Sequence, residues 1–312
     1  MTMITRDAIT RAAQRIAPHV RRTPVVDVVV EGVELPVTLK LELLQHAGSF
    51  KSRGAFNTLL GADVGAGGVA TASGGNHGAA VAYAARQLGH KAKVFVPEIS
   101  SPAKVARIAS YGAEIVQQGA NYAEALALCE AFIAESGAAS VHAYDAESTL
   151  EGQGTLGREL EAQAPALDTL LVAVGGGGLI GGIAAWYQSA VKVVGVEPFT
   201  CNTLHAALAA GERVPVKTSG VAADSLGATT VGRLMFDIAK DHIAHVALVS
   251  DEDIRNAQRK LWRDMQLVTE PGGAAAFAAL LSGAYKPEKD ERVGIVVCGA
   301  NTSMDVFGKL FM

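Results

Sequence analysis

The sequence predicts an α/β protein with mainly parallel sheets and helices on both faces. Short apolar runs alternate with helical patterns along most of the 312 residues, as expected for buried parallel strands joined by crossover helices. Turns rich in small residues follow several of these runs, at the strand ends where such sheets collect ligands. A composition of 49% apolar and 19% charged residues fits a compact globular chain.

Met1-Thr2-Met3-Ile4-Thr5-Arg6-Asp7 meets charge before an apolar region can form, and so reads as the start of an amphipathic helix with no secretion signal. Val37 to Leu43 is the first expected strand. Val69-Ala70-Thr71-Ala72 is the next, leading into a helix over Ala79 to Leu88. Ala92 to Val96 is a strand closed by Pro97, followed by a helix over Pro102 to Tyr111. A strand at Ala113 to Val116 and a helix at Glu124 to Ser136 come next. The stretch Thr169 to Val191 carries no charge and is long enough to span a membrane. Its tetraglycine centre argues instead for a strand (Thr169 to Val174), a loop and a packed helix near Ile183 to Gln188. Val191 to Val196 and Val293 to Val297 are further strands. Without a Pro/Ser-rich hinge, any two domains must be interleaved or tightly joined.

A net charge of −4 with a pI of about 6.1 gives no pull toward nucleic acid or anionic membrane. Small molecules and other subunits remain as partners. Cys129, Cys201 and Cys298 are odd in number and share no CxxC spacing, which argues against a disulfide framework or zinc site and for a reducing compartment.

Four motifs carry chemistry. In Gly48-Ser49-Phe50-Lys51-Ser52-Arg53-Gly54 a lysine stands at a helix start. There the helix dipole should lower its pKa toward the free amine that imine chemistry needs. Alone, the motif better fits a solvated surface lysine. Ser73-Gly74-Gly75-Asn76-His77-Gly78 can point backbone N–H groups at a carboxylate, with Asn76 offering both donor and acceptor, or can be an ordinary tight turn. The run Gly175-Gly176-Gly177-Gly178 is a nest suited to phosphate. Gly176-x-Gly178-x-x-Gly181 also fits a dinucleotide fingerprint, with Glu197 placed as its ribose-binding acid, so a nicotinamide-dependent oxidoreductase is a rival by spacing. Val297-Cys298-Gly299-Ala300-Asn301 follows the last strand, where Cys298 could reach a cofactor edge or simply pack in the core.

Taken in order, these motifs resemble the fold-type II pyridoxal-phosphate family, in its threonine/serine dehydratase (ammonia-lyase) branch. The resemblance also runs through Lys40-Leu41-Glu42-Leu43-Leu44-Gln45, Lys104-Val105, Tyr111-Gly112-Ala113-Glu114, Glu151-Gly152-Gln153-Gly154-Thr155, Gly195-Val196-Glu197-Pro198 and Glu270-Pro271-Gly272-Gly273-Ala274. It implies two interleaved three-layer α/β/α domains of the tryptophan synthase β-like fold. Residues 1–62 and 147–312 would form the large domain and 63–146 the small one. It implies pyridoxal 5'-phosphate as cofactor, with Lys51 as the Schiff-base lysine and Phe50 packed beside the ring. Asn76 would bond the ring hydroxyl, and Gly175, Gly176, Gly177, Gly178 and Leu179 would hold the phosphate. Cys298 would face the ring nitrogen, where many relatives carry serine. Ser73, Gly74, Gly75, Asn76 and His77 would receive the substrate carboxylate. The implied reaction is deamination of a β-hydroxy amino acid such as L-threonine or L-serine to a 2-oxo acid and ammonia, by a cytoplasmic homodimer.

Serine and aspartate racemases share this framework but need a second acid/base on the opposite face of the substrate. The resemblance places it at Gly74, which has no proton to give. A hydroxyaspartate ammonia-lyase would need an extra cation, and Arg53 and Arg158 stand in matching segments. Some relatives bind a divalent cation near a segment resembling Ala223-Asp224-Ser225-Leu226-Gly227, which makes Asp224 a weak metal candidate beside its reading as a structural loop residue. The chain ends at Met312 without the regulatory domain of biosynthetic threonine dehydratases, which predicts no feedback through such a domain. A non-catalytic binding protein is the third reading, and the intact Lys51, Asn76 and glycine run weigh against it.

Overall fold

A computed structural model describes residues 4–312. Its strands are β1 (Val25–Val28), β2 (Val37–Lys40), β3 (Val69–Ala72), β4 (Ala92–Val96), β5 (Glu114–Gln117), β6 (Ala139–Ser140), β7 (Thr169–Ala173), β8 (Lys192–Pro198), β9 (Ile243–Val249) and β10 (Val293–Val296). Its helices are α1 (Arg6–Ile16), α2 (Lys51–Gly61), α3 (Asn76–Gln87), α4 (Pro102–Ser110), α5 (Tyr122–Ser136), α6 (Glu147–Gln163), α7 (Gly178–Tyr187), α8 (Thr203–Ala210), α9 (Ala223–Leu226), α10 (Arg233–His242), α11 (Asp251–Met265), α12 (Pro271–Leu281) and α13 (Met304–Gly308).

The strands form two sheets, one of order β1-β2-β10-β7-β8-β9 and one of order β5-β4-β3-β6. Only the β1–β2 pairing is antiparallel. The chain leaves the larger sheet after β2, builds the whole smaller sheet, and returns at β7. That order interleaves the two units without any linker. β7 and β10 are buried at every residue, which is why they read as unbroken apolar runs. All ten residues of α7 are buried beneath the larger sheet. Tertiary packing of this kind holds a glycine-rich helix that propensity alone would not, so α7 begins at Gly178, five residues before the expected Ile183. No helix among the described residues is long and apolar enough to cross a membrane.

Polar caps set several boundaries. Thr5 accepts from Ala8 N at 3.1 Å at the start of α1; the expected helix start at Met1 to Met3 lies outside the described residues. Ser250 and Asp253 form a reciprocal capping box on α11. The strand expected over Val37 to Leu43 ends at Lys40, and the chain tightens into a 3₁₀ turn at Glu42–Leu44. Buried charge explains that turn. Lys40 Nζ donates to Thr23 O at 2.7 Å, to Gln163 Oε1 at 2.7 Å and to Glu159 Oε1 at 2.5 Å. Arg53, on α2, donates to Glu42 at 2.6 and 3.0 Å and to Glu159 at 3.1 Å. Burial lowers the Lys40 pKa, with the neighbouring Glu159 opposing the shift. Removing one partner from such a network costs about 3–5 kcal/mol, because the rest stays buried and unpaired. Arg53 is therefore not the substrate-facing cation suggested by its position in the sequence. Arg158 is exposed on α6.

Candidate active site

A small pocket lies where the C-terminal ends of β7 and β10 meet the start of α2. Phe50, Lys51, Asn76, the run Gly175 to Leu179, and Cys298 all line it. Ser73, Gly74, Gly75 and His77 do not line this cavity. They form the loop leading into α3, whose first-turn N–H groups have no intrahelical acceptor.

Lys51 is the first residue of α2, as expected. Its Nζ donates to Ala143 O at 2.7 Å and lies 5.1 Å from the Phe50 ring centre. Burial brings the amine down to a pKa of about 8, with Glu270 pulling the other way; Cys298 would do so only as a thiolate, a form its own raised pKa excludes there. Loss of solvent, rather than the helix dipole invoked from the sequence, is the main cause. His77 is buried and donates from Nε2 to Val141 O at 2.8 Å. Burial, reinforced by Lys51, holds its pKa at about 3, so its ring stays neutral.

The glycine run bends between two side chains that leave no room for a Cβ. At Gly176 a Cβ would lie 2.4 Å from the Tyr144 ring. At Gly177, with φ +88°, it would lie 2.5 Å from Met235. Backbone N–H groups can therefore approach an anion at the start of α7. Glu197 fixes the outside of this loop. Its carboxylate accepts from Leu204 N and His205 N, both at 2.8 Å, and from Thr203 Oγ1 at 3.0 Å, while Thr203 also reaches Gly175 O at 3.2 Å. The ribose-binding role weighed for Glu197 is thus replaced by a structural one at the start of α8.

Cys298 is buried with Sγ 3.4 Å from Gly272 O, and burial pushes its thiol pKa well above the usual range. Asp224 pairs with Lys104 of α4 and is not gathered with other ligands. Among the described residues no group of three His, Cys, Asp or Glu could hold a metal.

Sequence reasoning assigned no role to three residues that the fold brings here. Tyr144 roofs the glycine run, in a strap whose Tyr144 and Asp145 N–H groups both donate to His142 Nδ1, at 3.2 and 2.9 Å. A lone aromatic between motifs gave no signal. Glu270 and Asn301 stood inside quoted motifs, yet only the fold shows that both reach Asn76, at 2.6 and 2.5 Å.

A buried amine of lowered pKa and a backbone cradle lining one pocket suit a cofactor that carries an aldehyde and a phosphate. The chain belongs to the pyridoxal-phosphate dependent enzyme family, whose family model matches residues 16–299. Pyridoxal phosphate is its cofactor, and the amine, the glycine cradle and the Asn76 amide fit that group. The chain is 38% identical to the phenylserine dehydratase of Ralstonia pickettii, over 97% of this chain and 94% of that protein. It is 33% identical to the catabolic L-threonine dehydratase of Escherichia coli, over 96% and 93%. The structure of maize serine racemase superposes with a TM-score of 0.93 at 31% identity, covering 98% of this chain and 96% of that one.

Proposed function

We propose that this chain eliminates water from a β-hydroxy amino acid and releases a 2-oxo acid and ammonia, with Lys51 as Schiff-base lysine and general base. The observation that carries this reading is the Lys51 amine, held in the cofactor pocket near neutral pKa. When bound, pyridoxal phosphate supplies an electron sink for the substrate Cα. The N–H groups of Gly175 to Leu179 hold its phosphate, Phe50 packs beside its ring, Asn76 bonds the ring hydroxyl, and the Cys298 thiol faces the ring nitrogen. The N–H groups of Ser73 to His77 bind the substrate carboxylate, which brings Cα within reach of Lys51. A free amine near neutrality can take the Cα proton. Relatives acting on threonine and phenylserine support a β-hydroxy substrate whose side chain differs among them. We place the large domain at 1–62 and 147–312 and the small domain at 63–146, and assign a cytoplasmic homodimer.

The test is a 2-oxo acid assay of the protein with pyridoxal phosphate on L-threonine, L-serine, threo-3-hydroxyaspartate and phenylserine. Lys51→Ala should lower turnover by about 10³-fold, within the usual range for a general base. No oxo acid from any substrate, or turnover that survives Lys51→Ala, would refute the lyase.

One observation favours racemisation as a second reading. Gly74 carries no side chain, but Ser100 Oγ lies 2.8 Å from the point where its Cβ would stand. Ser100 could thus bring a hydroxyl to the place that Gly74 leaves empty. Formation of the D-enantiomer from an L-amino acid, lost in Ser100→Ala while elimination persists, would establish it; D-enantiomer formed at an unchanged rate in Ser100→Ala would rule Ser100 out.

A further inference from the structure

Glu270 is a buried carboxylate that the reaction described above does not use. It occupies the N-cap position of α12 but makes no side-chain cap there. Its side chain turns into the cofactor pocket instead, where Oε1 accepts from Asn76 Nδ2 at 2.6 Å. Only 6% of the residue is exposed, and among the described residues no Lys, Arg or His lies within ion-pair distance of it. An unpaired buried carboxylate is costly. The fold makes room for it, since a Cβ at Gly299 would lie 1.9 Å from Oε1.

The opposite end of the Asn76 amide is also held. Asn301 Nδ2 donates to Asn76 Oδ1 at 2.5 Å and to Ala47 O at 2.9 Å. A backbone carbonyl can only accept, so it fixes which end of Asn301 is nitrogen. Asn301 in turn fixes which end of Asn76 is oxygen. At the other end an ionised carboxylate can only accept, so it demands Asn76 nitrogen. With Glu270 ionised, two groups of fixed polarity thus clamp one amide from both sides. A single contact could be satisfied by either amide orientation; this pair cannot.

We propose that Glu270 is a positioning residue that locks the Asn76 amide so that its remaining N–H, and not its carbonyl, is presented to the cofactor ring hydroxyl. This rests on the assignment of Asn76 to that hydroxyl. A reversed amide would set one oxygen against another. Burial raises the Glu270 pKa to about 7, aided by Asp224 and opposed by Asn76, Lys104 and Arg107; at pH 8 the carboxylate is the major form.

The test measures the affinity of the apo-protein for pyridoxal phosphate at pH 8, and for the analogue lacking the ring hydroxyl. Glu270→Leu and Asn301→Leu should each weaken pyridoxal phosphate binding about tenfold, as for one misdirected buried hydrogen bond. Glu270→Gln keeps an acceptor oxygen and should stay within about threefold of wild type. With the 3-deoxy analogue, Glu270→Leu and wild type should bind alike. A merely structural Glu270 would lower thermal stability and affect both cofactors equally, which would overturn the proposal. So would unchanged affinity in Glu270→Leu or, if that variant does not fold, in Asn301→Leu. Wild-type protein that binds the two cofactors equally well would instead overturn the assignment of Asn76 on which the proposal stands.

Discussion

The two ends of the cofactor pocket are built by opposite means. The glycine end is backbone: Gly175 to Gly178, pressed between the Tyr144 ring, whose pKa burial raises, and Met235. The Lys51 end is side chain: Lys51, Asn76, Glu270 and Cys298, drawn from α2, α3, the start of α12 and the segment after β10. A backbone cradle keeps one charge state and one shape over the whole pH range. A side-chain cluster in poor contact with water changes its charge near neutrality. Anchoring and reactivity are thereby separated along one small cavity.

The largest effect expected from that contrast is in pH. The Lys51 amine sits at about 8, below the ordinary lysine value near 10.4. The sign follows from the free base being the reactive form: uptake of pyridoxal phosphate by apo-protein should rise with pH and level off above about 8. Below that point the fall approaches tenfold per unit, or roughly fiftyfold between pH 8 and 6. The rate of uptake at limiting cofactor, followed by absorbance from pH 6 to 10, checks this. A rise that continues unbroken to pH 10 would show a solvated lysine and erase the contrast between the two ends.

The same contrast explains what could be read from sequence. The glycine end is four adjacent residues, and backbone chemistry needs no knowledge of neighbours. Lys51 and Asn76 were legible because each sits in a small-residue turn before a helix. Strand and helix alternation carried the fold class, since buried parallel strands are unbroken apolar runs. What stayed hidden depends on contacts across about two hundred residues of chain, such as Asn76 with Glu270 and Asn301. Direction was hidden too. Arg53 stands two residues from Lys51, yet on α2 it points the other way, into Glu42 and Glu159. The outline of the 3₁₀ turn after Lys40 was lost for the same reason, because it follows from buried charge rather than local propensity.

A smaller effect is expected at the backbone end. Gly176→Ala would drive a methyl into the Tyr144 ring, which lies 2.4 Å from that Cβ position. Overpacking of this kind costs about 1–3 kcal/mol, so pyridoxal phosphate should bind about tenfold more weakly. Gly176→Ala combined with Tyr144→Ala should recover part of that loss. Fluorescence titration of the two variants separates a steric cradle from a purely conformational one. If the double variant recovers nothing, Tyr144 does not shape the loop and the glycine serves flexibility alone.

The smallest effect is expected at Cys298, and it decides what kind of group stands beside Lys51 in the pocket. Burial raises its thiol pKa well above the usual range, so the sulfur keeps its proton wherever Lys51 titrates. A neutral thiol cannot stabilise an ammonium ion by charge, so its removal should not lower the Lys51 pKa. Serine is smaller and a stronger donor, and its hydroxyl can keep the contact that Sγ makes with Gly272 O at 3.4 Å. Cys298→Ser should therefore leave cofactor affinity within about threefold, the scale of a fraction of one net hydrogen bond. The midpoint of the uptake profile should move by less than about 0.3 pH unit. A drop of a full unit would mean that a thiolate had been holding the Lys51 proton in place. The Lys51 end would then hold an amine–thiolate ion pair rather than an amine beside a neutral thiol.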